Sequence, residues 1–524
     1  MASSKDLTRR ELLAAGAAAS GALLLPVMSG CSKPATGVND PRAAALTVSK
    51  AFEAFGVSEA RVRKVMARAL QHGGDFCDLY FHRRRINWIG LEDHAVNRAS
   101  TRADIGLGVR VVRGVETGYA YTESLDEASM LAAAGVAATV AQGGGSTARA
   151  PNAFRVGKHP SYYPVKVPWP GVSTKDKAAL LSKLEKLVLE RDKRIRKVNV
   201  SYRDEDHQIL IIDSTGRVFA DSQPMTVTYV SCSAEHKGKR ESNYSALAGR
   251  SGFEFYTEAR LQKAAREVVD RTTVLFDAVG GPVGELPLVL GPGSSGILLH
   301  EAIGHGMEAD FARKRTTIYS DKVGKRIAPK DVTIVDDGVR EGLRGSINLD
   351  DEGNPSKRTV LVENGVLRTF LHDRISAKHF GVEPTGSGRR QSFRHMPIPR
   401  MRNTYMLAGP HPREAIIKSV KRGIYAEHFT NGQVNIGPGD FSFYVKNGML
   451  IEDGKLTQPI KDVNIIGNGP KVLEAVAMVG NDFKLDEGGW TCGKRGQRVP
   501  VGLGMPTVKI NAITVGGAGK KKAG

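Results

Sequence analysis

The chain has 524 residues, of which 41% are hydrophobic, and it carries a formal net charge of +20. This length is sufficient for two or more domains with sizeable cores. The basic residues are scattered rather than gathered into a recognisable motif, so we expect no nucleic-acid partner. Four cysteines provide no disulfide framework. Composition, with 59 glycines, therefore favours a mixed, turn-rich globular protein.

Residues 1–31 are predicted to be a twin-arginine signal peptide. Arg9 and Arg10 precede an apolar run, residues 12–25, that is too short to span a bilayer but suits the core of such a signal. A twin-arginine pair is an export address. Met28 to Cys31 resembles a bacterial lipoprotein cleavage box with methionine in place of leucine. Export is therefore expected, and both a periplasmic protein and a lipid anchor at Cys31 stay open.

Residues 49–280 predict an α/β (α+β) N-terminal domain with helices packed on antiparallel strands, after a linker over residues 32–48. Ser58 and Ser173 are good helix N-caps, and each precedes apolar residues at helical spacing. Alternation of polar and apolar residues predicts strands after each helix. Two pairs of strands are expected over 78–97 and 106–122, and further strands near 198–202, 208–212 and 218–234. Further helices are expected at 127–142 and 257–271.

Residues 281–515 predict a β-rich, barrel-like catalytic C-terminal domain, followed by a disordered tail over residues 516–524. Asn364-Gly365 and Asn447-Gly448 each stand between apolar runs, which is typical of a two-residue hairpin turn. Glycine and proline recur every few residues from 434 to 506, as short strands with tight turns require.

The segment LLHEAIGHGMEAD, residues 298–310, contains two histidines at an unusual interval. Zinc peptidase helices carry them four residues apart, as HExxH. His300 and His305 are five apart, which is roughly 140° around a regular helix. One added residue in the turn would realign them, and π-bulges often mark functional sites. Glycines on both sides of His305 tolerate unusual backbone angles. The spacing predicts a distorted helix that binds a metal, with Glu301 as the adjacent base.

A catalytic zinc ion usually has three protein ligands and keeps one position for water. Cys492 lies in a glycine-rich loop, residues 488–494, and is the strongest third candidate because a thiolate binds zinc well. Glu308, Asp310 and His395 stay open as alternatives.

The motif HEAIGHGMEAD, residues 300–310, resembles the HExxxH segment of the TldD family of metallopeptidases, within the TldD/PmbA group. The similarity covers roughly residues 55–510, and the paired motifs are specific. The other segments that carry it are 107–121, 387–389, 393–405, 492–497 and 499–506. Trp490-Thr491, before the cysteine, is bulkier than the family pattern leads us to expect.

The resemblance implies Zn²⁺ held by His300, His305 and Cys492. It also implies Glu301 as the general base, which takes a proton from metal-activated water and passes it to the leaving amine. We expect Arg394, His395 or Arg400 to contact the substrate or stabilise the transition state.

Enzymes of this family cut unfolded or extended peptides in a closed cavity, commonly formed with a PmbA-type partner. A peptide substrate, and either such a partner or a homodimer, are therefore expected. The PmbA branch lacks the histidine motif, so this chain resembles the catalytic branch. A non-catalytic partner or scaffold subunit is the alternative. Family members are usually cytoplasmic, in contrast to the export signal predicted here.

Overall fold

The computed structural model describes residues 47–141, 148–435 and 438–517. The predicted signal peptide, residues 1–31, lies outside the described residues, as does most of the predicted linker and of the predicted tail. Export and lipidation of Cys31 therefore stay predictions. Across these described ranges, no helix is both long and apolar enough to cross a membrane.

The first part of the described chain contains eight strands and five α-helices. The strands are β1 (Phe76–Glu92), β2 (Ala95–Arg113), β3 (Glu116–Thr122), β4 (Arg155–Val156), β5 (Ile195–Asp213), β6 (Arg217–Ser222), β7 (Met225–His236) and β8 (Lys239–Gly249). The helices are α1 (Val48–Glu53), α2 (Glu59–Ala69), α3 (Glu127–Ala137), α4 (Thr174–Leu189) and α5 (Glu258–Thr273).

These strands form one sheet in the order β3-β2-β1-β5, with β6 and β7 both paired to the far edge of β5. The long pairings of β1, β2, β5 and β7 are antiparallel, as predicted. Helices α2 and α3 pack over one half of the sheet, and α4 and α5 pack over the other. Ser58 and Ser173 cap α2 and α4 as predicted, each accepting a backbone N–H three residues ahead.

Strand β5 runs without interruption through a charged stretch where the sequence predicts two separate strands. Asp204 and Glu205 have partners that lie far away along the chain, and Glu205 also pairs with its near neighbour Arg203. Lys177 lies 2.7 Å from Asp204, and Glu205 pairs with Arg203 at 2.5 Å and with Arg84 at 3.7 Å. Charge in this segment therefore does not mark a loop, because neighbouring elements neutralise it within the sheet.

The second part of the described chain is dominated by short strands. They are β9 (Val279–Gly280), β10 (Gly284–Leu290), β11 (Ile334–Asp337), β12 (Arg358–Glu363), β13 (Val366–Leu367), β14 (Gly388–Arg389), β15 (Ile398–Pro399), β16 (Asn403–Met406), β17 (Arg422–Asn435), β18 (Asp440–Glu452), β19 (Lys455–Lys461), β20 (Val463–Asn468), β21 (Val476–Val479), β22 (Lys484–Asp486), β23 (Thr491–Lys494), β24 (Gln497–Pro500), β25 (Gly502–Met505) and β26 (Val508–Gly517). The helices are α6 (Gly296–Leu299), α7 (Ala309–Arg313), α8 (Arg374–Phe380), α9 (Arg413–Lys418) and α10 (Gly469–Glu474).

Five of these strands close into a barrel, in the order β17-β10-β26-β20-β18, because β18 also pairs with β17. The predicted barrel-like, β-rich region is thus confirmed. A second sheet, β13-β12-β11-β16-β25-β22, supplies β25, which packs against α6. Hairpin β23–β24 carries Cys492.

The two Asn-Gly pairs behave differently. Asn364 and Gly365 have φ angles of 48° and 79° and join β12 to β13 as predicted. The prediction for Asn447-Gly448 is wrong, because both residues lie inside β18. Asn447 is buried, and its side chain donates a hydrogen bond to the Arg271 carbonyl at 2.9 Å. A long-range hydrogen bond therefore replaces the local turn.

Buried ion pairs join the first sheet to the residues that follow it. Arg110 of β2 donates to Asp78 of β1 and to Glu352, both at 2.6 Å. Arg390 reaches the same Asp78 at 3.1 Å. All four side chains are at most 1% exposed. The domain boundary at residue 280 stays a prediction.

The segment after β10 has the predicted distorted helix. The short helix α6 continues into a π-helical turn, His300–Gly304, and then a 3₁₀ turn, His305–Met307. Gly304 has ordinary helical angles, φ −56° and ψ −46°, so the expectation that it supplies unusual backbone angles is wrong. Its role is close packing, because a Cβ atom there would lie 2.1 Å from Met401 Sδ.

Substitution of Asp78 by alanine should strongly destabilise the protein. It leaves two buried guanidinium groups without this carboxylate, which typically costs about 3–5 kcal/mol. The measurement is urea unfolding of the variant and the wild type. Asp321→Ala, which removes an exposed pair with Lys325, is the control and should leave the midpoint unchanged. A loss of less than about 1 kcal/mol for Asp78→Ala would contradict the importance of this link.

Gly304→Ala should also destabilise the fold, by about 1–3 kcal/mol, because the methyl group overpacks against Met401. Gly493→Ala is a matched control, since a Cβ atom there would meet nothing within 4 Å. Thermal unfolding of both variants tests this difference. Equal melting temperatures for the two would show that the π turn has room to shift.

Candidate metal centre

Three buried side chains meet between the π turn and hairpin β23–β24. They are His300, His305 and Cys492, and one ligand atom from each lies within 4.8 Å of the other two. Cys492 Sγ is 3.3 Å from His305 Nε2. The centroids of the two imidazole rings are 5.3 Å apart. The structure thus brings together the three residues that the sequence proposes as metal ligands.

The π turn explains how histidines five residues apart reach one point. The backbone N–H of His305 donates to the carbonyl of His300, which is the i→i+5 bond of a π turn. In a regular α-helix these residues would point roughly 140° apart. The added residue widens the turn, so that both rings lie on the same side and face the hairpin.

Glu308 fixes the orientation of His305. Its carboxylate accepts a hydrogen bond from His305 Nδ1 at 2.9 Å, which leaves Nε2 to face Cys492. Burial favours the neutral acid, but Lys494, at 3.1 Å, and His305 hold the pKa of Glu308 at about 2. A carboxylate behind a ligating imidazole sets its tautomer and raises its basicity.

The thiol of Cys492 is poised to ionise. Burial alone would raise its pKa, but the imidazoles of His300 and His305 outweigh burial and hold that pKa well below the usual range. The thiolate in turn helps to raise the pKa of both histidines against the effect of their burial. Thiolate is the form of cysteine that binds metals.

The chemistry of the three donors fits a metal ion. Imidazole nitrogen and thiolate sulfur are both zinc ligands, and three protein ligands leave one position for water, as in catalytic zinc sites. His300 Nδ1 is buried and has no hydrogen-bond partner among the residues that the structure describes. A buried polar atom of this kind is normally satisfied. The donor chemistry of the cluster therefore suits a metal ion.

Glu301 lies on the accessible side of the cluster. Its Oε2 is 3.7 Å from His305 Nε2, and its side chain is 22% exposed, whereas that of His305 is 4% exposed. The carboxylate is thus close to the ligands and can also be reached by water and substrate.

The three alternative ligands are engaged with other groups. Asp310 pairs with Lys494 at 2.6 Å, and Glu308 contacts His305 as described above. Nδ1 of His395 is 3.2 Å from the hydroxyl of Ser392. These side chains are engaged with other groups, which leaves Cys492 as the third residue of the cluster.

The arginines expected to contact substrate have other partners. Arg394 is held by Asp104 at 2.9 Å and by Glu123 at 2.7 Å. Arg400 is fully buried and donates to the carbonyl of Cys492 at 2.7 Å. Its position behind the cysteine suits it to support the hairpin rather than to contact substrate.

Sequence reasoning missed two residues, one within the hairpin and one that contacts it. Lys494 links Glu308 to Asp310 beneath the site. Arg344 donates to the Trp490 carbonyl at 3.0 Å and to Thr491 Oγ1 at 3.1 Å. No local pattern marks Arg344, because its partners lie far away in the sequence.

A cavity of about 330 Å³ lies beside the segment that leads into Cys492. Trp490 and Thr491 form part of its wall, opposite residues of β7 and β8 such as Tyr229 and Tyr244. The indole N–H of Trp490 donates to Asp486. The bulky residue before the cysteine therefore shapes a cavity wall.

Family models match most of the described chain. The PmbA/TldA metallopeptidase domain 1 matches residues 77–141, the central domain matches 167–276 and the C-terminal domain matches 283–517. A Metalloprotease TldD homolog from Haemophilus influenzae is 40% identical over 449 residues, covering 84% of this chain and 93% of that protein. A Metalloprotease from Methanothermobacter thermautotrophicus is 30% identical, covering 84% of this chain and 96% of its own length.

Solved structures show the same fold at low identity. TldE from Thermococcus kodakarensis aligns with a TM-score of 0.68 and 20% identity, over 87% of this chain and 100% of that chain. A putative modulator of a DNA gyrase from Thermotoga maritima aligns with a TM-score of 0.69 and 21% identity, over the same shares. Together with the sequence relatives, these matches show that the chain belongs to the TldD family of PmbA/TldD metallopeptidases.

Proposed function

We propose that this protein is a zinc-dependent peptidase that hydrolyses unfolded or extended peptides. The observation that carries the proposal is the convergence of His300, His305 and Cys492, with ligand atoms within 4.8 Å of one another. A relative from Saccharolobus solfataricus, 34% identical over 235 residues, is named a zinc metalloprotease TldD homolog. It covers 45% of this chain and 52% of its own length, so its name supports zinc here as a proposal.

Zinc held by these three side chains would supply Lewis acidity, which makes water nucleophilic at neutral pH and polarises a peptide carbonyl. Glu301 is the group of this chain placed to accept the proton of the attacking water. It then returns that proton to the leaving amine, and such positioned transfer typically contributes about 10²- to 10⁴-fold in rate.

The other buried groups keep the ligands in place. Glu308 holds His305 with its Nε2 toward the cluster, and Lys494 keeps Glu308 ionised. Arg400 fixes the backbone carbonyl of Cys492. The site is thus preorganised, so that little rearrangement is needed when the metal and peptide bind.

The alternative is a non-catalytic partner or scaffold subunit that retains the fold. The His300, Glu301, His305 and Cys492 set favours the peptidase, because a scaffold has no need of a buried thiolate beside two imidazoles. The fold similarity to a protein named TldE supports the proposal that this chain assembles with a TldE-like subunit or with a second copy of itself. Export by the twin-arginine route remains a prediction.

Cys492→Ala should lose bound zinc, because two imidazoles alone form a weak site. Elemental analysis of purified protein should find about one zinc ion per wild-type chain and far less in the variant. Cys232→Ala is the matched control: this buried thiol lies 3.2 Å from the Thr272 hydroxyl, away from the histidines. Equal zinc content in all three proteins would reject Cys492 as a ligand.

Glu301→Gln should retain zinc and lose peptide cleavage by about 10²-fold or more, because the amide cannot accept the water proton. Cleavage of an unfolded peptide is followed by mass spectrometry, with and without a chelator. Glu285→Gln, at an exposed position in β10, is the control and should cleave like the wild type. Undiminished cleavage by Glu301→Gln would remove this residue from the reaction.

A further inference from the structure

A buried arginine lies beside the hairpin that carries Cys492 and forms no salt bridge with any residue that the structure describes. Arg344 is 8% exposed. The hydrogen bonds that it donates go to two neutral acceptors, the Trp490 carbonyl and the Thr491 hydroxyl. Within the described part of the chain, its Nη1 atom is buried and has no partner. A buried charge that is hydrogen-bonded only in part is costly, and such groups call for a ligand or a function.

A second arginine near it is also poorly compensated. Arg250 is 3% exposed and donates to the Gln223 amide oxygen at 3.4 Å. Its guanidinium lies 5.4 Å from the centre of the Tyr163 ring. Its Nε atom is buried without a partner among the residues that the structure describes. The two arginines thus bring two buried charges into one region with mainly neutral acceptors.

The nearby carboxylate does not neutralise the positive charge of these two arginines. Glu205 is the carboxylate that acts most strongly on Arg344, but Arg203 and Arg84 already pair with it. Burial, together with the charges of Arg203 and Arg250, lowers the pKa of Arg344 to about 10 against the effect of Glu205. The region is therefore electropositive and suited to an anion.

This region directly adjoins the candidate metal centre. Arg344 contacts Thr491, which precedes Cys492, and Thr491 pairs with Pro500 across hairpin β23–β24. Arg389 donates to the Pro500 carbonyl at 2.8 Å on the other strand. Trp490 and Thr491, which Arg344 contacts, line the cavity described above, whereas Arg344 and Arg250 do not line it. An anion bound at Arg344 would lie beside the residues that lead to the metal ligand.

We propose that Arg344, with Arg250, binds a carboxylate group of the peptide substrate. The inference rests on the proposed peptidase function, which makes a peptide the ligand. A planar guanidinium matches a carboxylate in charge and geometry, and the ligand would supply the acceptor that Nη1 lacks. The carboxylate comes either from an acidic side chain or from the C-terminus of the peptide.

The test measures binding, so that it does not depend on cleavage. The zinc-loaded Glu301→Gln protein is titrated into an N-terminally labelled, unstructured Gly/Ser/Ala peptide, and anisotropy gives Kd. The peptide is made in four forms: with one central Glu or Gln, and with a free or amidated C-terminus. Removing both carboxylates should weaken binding about tenfold or more. The two single changes show which carboxylate is bound.

Adding Arg344→Gln to the Glu301→Gln protein should abolish the preference for peptides with a carboxylate. The four peptides should then bind within about twofold of one another. Arg498→Gln removes an exposed arginine from the same hairpin and should keep the preference. A preference that persists in Arg344→Gln would overturn the proposal. If the Arg344→Gln variant does not fold, the four peptides still test the proposal on the Glu301→Gln protein. Equal affinities of that protein for all four peptides would also overturn the proposal.

Failure of the peptidase proposal gives a different result. A zinc-loaded wild-type protein that binds the carboxylate forms more tightly but cuts none of the four peptides would reject peptidase activity and support carboxylate binding. A protein that cuts all four and binds them equally would support the peptidase and reject the carboxylate site.

Discussion

The candidate site depends on one backbone hydrogen bond, from the N–H of His305 to the carbonyl of His300. This bond closes a turn over one residue more than an α-helix uses, and it places both imidazoles on one side. Tertiary packing holds the turn in place. Gly304 lies against Met401, and Gly469 approaches the carbonyl of Ala302 so closely that a Cβ atom there would be 2.1 Å from it. The metal ligands converge because the chain around the π turn is tightly packed.

Buried charge is used in two ways around this turn. In one set, each charge has a partner, as in the Glu308–Lys494–Asp310 chain beneath the site and the Asp78–Arg110 link to the first sheet. Matched pairs fix geometry, since removing either partner leaves an isolated buried charge. At Arg344 the match is incomplete. The difference lies in the counterion, because Arg110 also has a buried nitrogen without a partner among the described residues but is paired with two carboxylates.

The fold by itself does not decide between an enzyme and a scaffold. Solved structures at 20–21% identity share this architecture, including one named TldE and others named modulators of DNA gyrase. Function resides in the residues carried by a fold rather than in the fold itself. In this chain, the relevant residues are two histidines, a glutamate and a cysteine that the barrel and its hairpin bring together.

Local sequence determined those features that depend on neighbouring residues. Ser58 and Ser173 begin helices and Asn364-Gly365 forms a hairpin turn, because each requires only hydrogen bonds or dihedral angles within a few residues. The five-residue histidine interval indicates the π turn, which a local hydrogen bond closes and tertiary packing then holds.

Only the tertiary structure decided the rest. Asn447-Gly448 stays in a strand because of a distant carbonyl, and β5 continues through its charged residues because distant partners neutralise them. The residues alone left Cys492, Glu308, Asp310 and His395 open as third ligands, and the geometry joins Cys492 to His305 across 187 residues of sequence. Arg344 has no signal in the sequence at all. Contacts of this kind arise from folding of the whole chain, so that no local pattern encodes them.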